Sequence, residues 1–418
     1  MKKIGILLVL TATAGWVSCG GGGSSKPTTN QTFLAKRAFI TNSSTTNGAA
    51  VVSIIDALKD LFGNHAITVA PGTNVIATTI PGKVSVVSSK TTNQVAIIDN
   101  TLEAVRATIS LPAETESMAV TPDGKFAFAA VHNTNTVEVI DLSNSVLCTT
   151  LTTTCRGPIT ISAPTKVVLS GDGKTLLAFS DNPTAADSVV VIDATQATST
   201  TGITTPIVPV NGFHKAVNGV FASDNVTAYI MNCGEECGGA AGTAGVQVLQ
   251  TTAATNTGTL GSASATVPAT VAALDSGNLY VAGTAPPTPP GSPVVLNSGR
   301  ITKLNATTLA PVGSGDVLPP GYHDTIAVQS GKVFVGSKAC TVTSGSNQSC
   351  LGIFDGTHTV ISSVYEGDVT GMQAISGRSV VYVIIGGELR IYDANTSALQ
   401  SQQLDIIGHA EQVVLVDP

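Results

Sequence analysis

Short stretches in which hydrophobic and polar residues alternate recur along this chain and end in turn-forming residues. Residues 117–141 contain three such stretches, separated by the turn Pro122-Asp123-Gly124 and by a polar Asn/Thr turn. Alternation with a period of two is typical of strands with one buried face, and Asp-Gly or Asn-rich pairs favour tight turns. The segment therefore predicts three antiparallel strands joined by two turns. The same plan returns between Val167 and Asp193.

The third strand of this unit has a signature of alternating Val or Ile that ends in Asp, Asn or Gln. Eight copies end at Asp56, Asp99, Asp141, Asp193, Gln250, Asn305, Asp355 and Asp393. The intervals between them are 43, 42, 52, 57, 55, 50 and 38 residues, near the spacing of about 40 to 50 residues in propeller blades. With a trailing strand such as Val105 to Leu111, each copy is a four-stranded antiparallel sheet. Stacking the copies in a ring covers both apolar faces, so we predict an all-β β-propeller of eight blades, with seven as the alternative.

The two ends of the repeat region predict how the ring closes. Residues 37–40 match a second strand, whereas residues 411–418 match an innermost strand and its turn. We therefore expect one propeller domain over residues 37–418, in which the C-terminal strand completes the first blade. Ile54 to Phe62 also has the spacing of a short helix, but its place in the repeat favours a strand and a turn.

The repeat resembles that of a known family. Residues 120–124, 131–133 and 137–141 look like the YVTN β-propeller repeat of bacterial surface proteins, which belongs to a broader lactonase-like and quinoprotein-amine-dehydrogenase-like propeller group. The similarity spans roughly residues 37–418 and is close in the third and fourth copies. The resemblance implies a propeller, commonly of seven blades in this group, and its residues specify turns and core rather than a reaction.

The first residues have the pattern of an export signal. Lys2 and Lys3 precede an apolar run from Ile4 to Gly15, and small residues surround Cys19. Residues 17–20 resemble a bacterial lipobox, with Trp16 where Leu is usual. The resemblance implies a signal peptide over residues 1–18 and acylation of Cys19. The alternatives are an ordinary secretory signal and an uncleaved anchor helix, although the run is shorter than the roughly 20 residues of a membrane span.

Residues 19–36 follow as a Gly/Ser/Thr-rich segment whose composition predicts a flexible tether. Gly20 stands directly after the cysteine, and by resemblance to the sorting rule of enteric bacteria the absence of Asp there favours the outer membrane. We therefore expect a protein that its N-terminal lipid attaches to the bacterial cell envelope, on the periplasmic or the surface side.

Composition and charge exclude some classes of partner. The 418 residues include 20 Lys and Arg against 27 Asp and Glu, for a formal net charge of −7, and the acidic residues are scattered. A nucleic-acid-binding protein needs a basic surface to neutralise phosphates, so we expect no nucleic-acid partner. The one Trp, Trp16, lies in the signal, which weakens a carbohydrate-binding interpretation.

Apart from Cys19, the six cysteines form three local pairs, namely Cys148 with Cys155, Cys233 with Cys237, and Cys340 with Cys350. Each cysteine is the nearest available thiol to its partner, so disulfides are expected in an oxidising compartment. The alternative is metal or redox chemistry. However, residues 233–237 have the spacing C-x3-C rather than C-x-x-C, and no second pair lies at zinc-finger spacing.

No nucleophile elbow, phosphate loop, HExxH or EF-hand motif occurs in the sequence, so candidate sites come from repeat position alone. Residues just before an innermost strand of a propeller converge at one mouth of the central channel. His214, His323, His409 and Glu116 have this position, as do Glu114 and Asp368. Imidazole and carboxylate groups suit a divalent metal or a polar ligand. The alternative is that these are solvated loop residues that do not meet.

These patterns favour a lipid-anchored cell-envelope propeller that acts as a non-catalytic binding or scaffolding module. Its partner would be an envelope protein or a small-molecule ligand. The alternative is a metal-dependent or quinone-dependent propeller enzyme, lactonase-like or dehydrogenase-like, with its site at the channel mouth. Propeller folds occur in both binding modules and enzymes, so the residues of the site are needed to distinguish the two functions.

Overall fold

Eight antiparallel sheets form the blades of a closed β-propeller. The structure is a computed structural model that describes residues 31–44, 50–79, 82–182, 187–252, 255–284, 299–340, 349–362, 367–401 and 404–417. The predicted signal peptide, Cys19 and the first part of the predicted tether lie outside these residues. Within them, no helix has both the length and the apolar character needed to cross a membrane.

The first four blades contain the following strands, numbered in chain order. The first blade has β1 (Arg37–Asn42), β2 (Val51–Asp56) and β3 (Leu61–Thr68), and the second has β4 (Thr73–Thr78), β5 (Val84–Ser89), β6 (Gln94–Asp99) and β7 (Ala104–Ser110). The third has β8 (Ser117–Val120), β9 (Phe126–Val131), β10 (Thr136–Asp141), β11 (Val146–Leu147) and β12 (Ile159–Thr160). The fourth has β13 (Pro164–Leu169), β14 (Thr175–Ser180), β15 (Ser188–Asp193) and β16 (Pro209–Asn211).

The remaining strands complete the ring. The fifth blade has β17 (Ala216–Phe221), β18 (Thr227–Asn232), β19 (Gly245–Thr252) and β20 (Thr257–Ala265), and the sixth has β21 (Val271–Asp275), β22 (Asn278–Thr284), β23 (Gly299–Asn305) and β24 (Asp316–Leu318). The seventh has β25 (Tyr322–Gln329), β26 (Lys332–Lys338), β27 (Leu351–Phe354) and β28 (Thr359–Ile361). The eighth has β29 (Val369–Ile375), β30 (Val380–Ile385), β31 (Glu388–Asp393) and β32 (Ala398–Leu399), and β33 (Ala410–Leu415) ends the chain's strands.

The C-terminal strand closes the ring, as the sequence predicts. β33 pairs antiparallel with β1, with Ala38 opposite Leu415 and Phe39 opposite Val414, and so becomes the innermost strand of the first blade. Each innermost strand also contacts the innermost strand of the next blade around the ring. The prediction of eight four-stranded blades is therefore confirmed, with β12 as an additional short strand that pairs with β10 in the third blade.

Side-chain burial explains why these sequences form stacked blades. The second and third strands, such as β5 and β15, are buried on both faces because a neighbouring blade covers each face. The outer strands β3 and β7 instead alternate between exposed and covered positions. One core cluster joins Phe128 and Val139 of the third blade to Leu176 and Ile192 of the fourth. The apolar contacts between blades therefore form the core.

Helical structure is confined to short connections in the described part of the chain. These are α1 (Ala194–Ala197) and the single 3-10 turns His132–Thr134 and Gly234–Cys237. The helix considered for Ile54 to Phe62 does not form. Instead β2 ends at Asp56, whose Oδ1 accepts a hydrogen bond from the Leu58 amide at 3.0 Å within the turn to β3.

The strand directions define two faces of the ring. The upper face is the one where the innermost strands begin, and it carries the loops that start at Cys233 and Ala339. The lower face carries the turns between first and second strands, such as those at Asp123 and Asp172. All three predicted disulfides form: Cys233–Cys237 and Cys340–Cys350 brace loops of the upper face, and Cys148–Cys155 links the segment between β11 and β12. Three disulfides indicate an oxidising, extracytoplasmic compartment.

Candidate functional site

The innermost strands share an irregularity near the upper mouth of the ring. Their pairing register with the second strand shifts in six of the eight blades, namely those with β4, β13, β17, β25, β29 and β33. Such β-bulges redirect the side chains beside them. In the fourth blade the extra residue is Thr165, next to Lys166, and in the seventh it is Asp324.

Charged side chains of the fourth and seventh blades lie within electrostatic range of each other at this mouth. Asp324 Oδ2 lies 2.6 Å from Lys338 Nζ, and Lys166 interacts electrostatically with both residues. The Lys166 side chain forms no hydrogen bond or ion pair with any described residue, and Asp324 Oδ1 is buried without a described hydrogen-bond partner. Desolvation lowers the pKa of Lys166, and the negative charge of Asp324 opposes that shift only in part. The Lys166 amino group is thus desolvated and has no ion-pair partner of its own among the described residues.

A disulfide-braced loop adds a carboxyl group to the same region. Glu236 lies between Cys233 and Cys237, and its Oε2 accepts a hydrogen bond from the Thr284 amide of the next blade at 2.9 Å. Burial raises the pKa of Glu236. The pKa of Tyr322 is raised too, first by desolvation and then by the negative charges of Asp324 and Glu236. The loop therefore carries Glu236 toward Tyr322 and Asp324 on the upper face.

His323 lies inside the protein rather than at the mouth. The side chain is fully buried, and its Nε2 lies 3.0 Å from the Pro319 carbonyl oxygen. Because a carbonyl only accepts hydrogen bonds, Nε2 holds the proton of this ring. Burial lowers the pKa of His323 to about 4, so the imidazole is neutral near pH 7. This environment suits a structural role in the core between blades.

The other predicted site residues are spread over the upper face. His214 is exposed and lines a small cavity of about 180 Å³ with Asn232 and Gln247. His409 is half-exposed, with Nδ1 3.4 Å from Glu411 Oε1, and Glu116 is exposed. Glu114 is half-buried, and Asp368 is exposed and accepts a hydrogen bond from the Ala339 amide at 2.8 Å.

These side chains do not form one metal centre in the described structure. Among the residues it places, no group of three or more His, Cys, Asp or Glu side chains is arranged to hold a metal ion. That the upper mouth binds a ligand stays a prediction. The charged side chains that the structure brings into electrostatic range there are Lys166, Asp324 and Lys338.

Sequence reasoning missed these three residues for a specific reason. The criterion used in the sequence, a position just before an innermost strand, points to His323. The charged residue Asp324 lies one residue later, at the bulge. The bulge interrupts the alternation of β25 at this point, so alternation alone does not predict the environment of Asp324. The approach of Lys166 to Asp324, 158 positions away in the chain, follows from ring closure and has no local signal.

Comparisons with known proteins support the fold. No protein-family model matches the chain, and no curated protein matches its sequence. The chain is similar in structure to the dihydro-heme d1 dehydrogenase NirN in complex with DHE, with 10% identity, a TM-score of 0.65, and coverage of 92% of this chain and 75% of that one. It is also similar to a functionally unknown protein from Desulfotomaculum acetoxidans DSM 771, with 13% identity, a TM-score of 0.54, and coverage of 91% and 99%. At these identities the likeness shows the propeller fold alone.

Proposed function

We propose that this protein is a lipid-anchored, YVTN-type propeller of the bacterial cell envelope and acts as a non-catalytic binding module whose ligand face is the upper face. The observation that carries the proposal is the amino group of Lys166, which is desolvated at the mouth and has no ion-pair partner among the described residues. Leaving a partly buried charge unpaired costs stability. A ligand that presents an anionic group would supply the missing partner.

The surroundings of Lys166 favour binding of one anionic group. Lys338 is already paired with Asp324, 2.6 Å away, and the Glu236 carboxyl group is bound by the Thr284 amide, so Lys166 has no ion-pair partner of its own among the described residues. The Cys233–Cys237 disulfide braces an upper-face loop, the one that carries Glu236. A loop ordered in this way loses less conformational entropy when a ligand binds, which strengthens binding.

The lower face supports attachment to a membrane. Phe33 is 81% exposed, and Leu58, Leu61, Phe62 and Leu102 are exposed too. The described chain starts at this patch, where Gln31 Nε2 donates to the Thr101 carbonyl at 2.8 Å and the Thr32 amide donates to Glu103 at 2.5 Å.

Cys19 precedes Gln31 by 12 residues, a span of about 40 Å at most when fully extended. A lipid on Cys19 would therefore keep this apolar patch close to the bilayer surface, where exposed hydrophobic side chains favour insertion. In that orientation the upper face points away from the membrane.

Two experiments test the anchored binding module. Wild-type protein should sediment with membranes and take up labelled palmitate, whereas Cys19→Ala should do neither; equal behaviour of the two would contradict the anchor.

For the ligand, native mass spectrometry of protein purified from envelopes should show a bound mass. Lys166→Met should lose this mass, and the control Arg300→Met, which changes an exposed arginine of β23, should retain it. A mass retained by Lys166→Met, or none in the wild type, would contradict the site. Chemical conversion of the bound molecule would instead support the enzymatic alternative.

A further inference from the structure

A second cavity lies at the outer rim, between the third and fourth blades and away from the mouth. Its volume is about 650 Å³, and residues 156–160 and 201–207 form most of its wall. Small-molecule sites typically have volumes of about 300 to 1,000 Å³. The floor continues into the core that these two blades share, because Ile159 is part of that core and Ile203 and Ile207 pack against it. The cavity is therefore a formed feature of the blade interface.

Arg156 brings a positive charge without a partner into this cavity. Its Nη1 atom is buried and has no hydrogen-bond partner, and the side chain forms no ion pair with any described residue. Two other arginines are paired with carboxylates: Arg37 contacts Asp417, and Arg378 contacts Asp60. A guanidinium group loses hydration when it is buried, and this cost is recovered only when its N–H groups find acceptors. Arg156 is thus placed to receive an acceptor from a ligand.

The surrounding backbone is built to hold the Arg156 side chain. Cys155, the preceding residue, is tied to Cys148 by a disulfide. On the opposite wall, Gly202 has a φ of +71°, and a Cβ atom there would lie 2.6 Å from Arg156 Cβ. Only a residue without a side chain leaves room for the arginine stem at that point. The disulfide and Gly202 together fix the position of the Arg156 Cβ atom, from which the side chain extends to the guanidinium group.

The lining defines the class of ligand. Hydroxyl groups come from Thr150, Thr160, Thr201 and Thr205, and apolar surface comes from Pro158, Ile203, Pro206 and Ile207. Among the described residues that line the cavity there is no Asp or Glu, and Arg156 is the single cation. A planar guanidinium group matches a carboxylate through two parallel hydrogen bonds, and one positive charge balances one negative charge.

We propose that this rim cavity binds a small organic carboxylate with an apolar body. The carboxylate pairs with Arg156, the threonine hydroxyls complete its hydrogen bonds, and the apolar part lies on the isoleucine and proline side chains. The site is independent of the mouth, since it involves neither Lys166 nor Asp324.

Calorimetric titration of the full-length mature protein tests this site with octanoate as the probe. Octanamide has nearly the same shape without the charge, and inorganic phosphate has charge without the apolar body. We expect octanoate to bind at least about tenfold more tightly than either, as expected when a charge-assisted hydrogen bond is added. Equal affinity for octanoate and octanamide would overturn the role of Arg156, and tighter binding of phosphate would overturn the carboxylate assignment.

Variants locate the binding. Arg156→Met should lower octanoate affinity at least about tenfold, while Arg300→Met and Lys166→Met should bind as the wild type does. Gly202→Val keeps the charge but displaces the arginine stem, so it should weaken binding too and serves if Arg156→Met does not fold. Without ligand, Arg156→Met should melt at a higher temperature than the wild type, because a buried Nη1 group without a hydrogen-bond acceptor is removed. Unchanged affinity in both cavity variants would overturn the proposal, and so would a loss in Lys166→Met alone.

Discussion

Arg37 and Asp417 clasp the two ends of the propeller. Arg37 Nε donates to Asp417 Oδ2 at 2.7 Å, and Nη2 donates to Oδ1 at 2.8 Å. The Arg37 amide also donates to Oδ2 at 2.9 Å. The first residue of β1 is thus held by a carboxylate just beyond β33, and this ion pair raises the pKa of Arg37 further. The clasp reinforces the strand pairing that closes the ring.

Breaking this clasp should destabilise the whole domain. Asp417→Asn keeps the size of the side chain but removes its charge, so we expect the free energy of unfolding to fall by about 1.5 to 3 kcal/mol. Urea denaturation followed by circular dichroism measures the change. Lys125→Gln is the control, because its pair with Asp123 is exposed and worth less than about 1 kcal/mol. Equal effects of the two substitutions would contradict a closing role for Asp417.

A second contact, between the first and eighth blades, depends on a buried tyrosine. The Tyr382 hydroxyl donates to Asp60 Oδ1 at 2.5 Å, and Arg378 binds both Asp60 oxygens at 2.6 and 2.7 Å. Tyr382→Phe should cost about 1.5 to 3 kcal/mol of stability, because the lost hydrogen bond is to a charged group. Tyr392→Phe loses a neutral bond to Ser362 instead, and thermal melts should show the smaller decrease in that variant. The reverse order would refute the importance of Asp60.

His323 should make stability depend on pH in mildly acidic solution. Its pKa is about 4 in the folded protein and about 6.5 when unfolded. Between these values the unfolded chain binds a proton that the folded chain excludes, so this contribution is complete above pH 6.5 and is lost as the pH falls toward 4. The loss is on the order of 3 kcal/mol. Denaturation curves measured between pH 4 and 8 give the free energy of unfolding at each pH. Plotted against pH, this free energy should have different slopes for the wild type and His323→Gln. Parallel plots would show that His323 is not buried as described.

Lys166 should lower the stability of the protein, although we expect it to bind the ligand. Replacing this desolvated and unpaired lysine by Met should raise the free energy of unfolding by about 1 kcal/mol, as expected where a functional charge is removed. Lys338→Met should act in the opposite direction, since it leaves Asp324 without its ion-pair partner. Thermal melts at neutral pH compare the two variants. A loss of stability in Lys166→Met would show that its charge is already satisfied.

The fold could be predicted because propeller blades repeat a local pattern. The strand that ends at Asp141 and the strand that ends at Asp393 have the same alternation and the same terminal carboxylate, so one motif locates every blade. The C-terminal strand was identifiable for the same reason, since it matches the strand that the first blade lacks. Cysteine pairs only a few residues apart, such as Cys148 and Cys155, left little choice of partner.

The site was harder to predict from the sequence, because it depends on the orientation of side chains and on contacts across the ring. A bulge decides that Asp324 occupies the extra position of its strand, while the adjacent His323 is buried. Arg156 also looks like an ordinary loop residue in the sequence. Its significance comes from a glycine 46 positions later, Gly202, and from the lack of an acceptor around Nη1.

Site-specific photocrosslinking in intact envelopes tests the ligand face most directly. A benzophenone side chain would replace His214, an exposed residue of the upper face, or Lys174, an exposed residue of the lower face. We expect a crosslinked product, detected as added mass on the labelled peptide, from position 214, and we expect Lys166→Met to abolish it. A product from position 174 alone, or one from position 214 that persists in Lys166→Met, would contradict binding at the upper mouth.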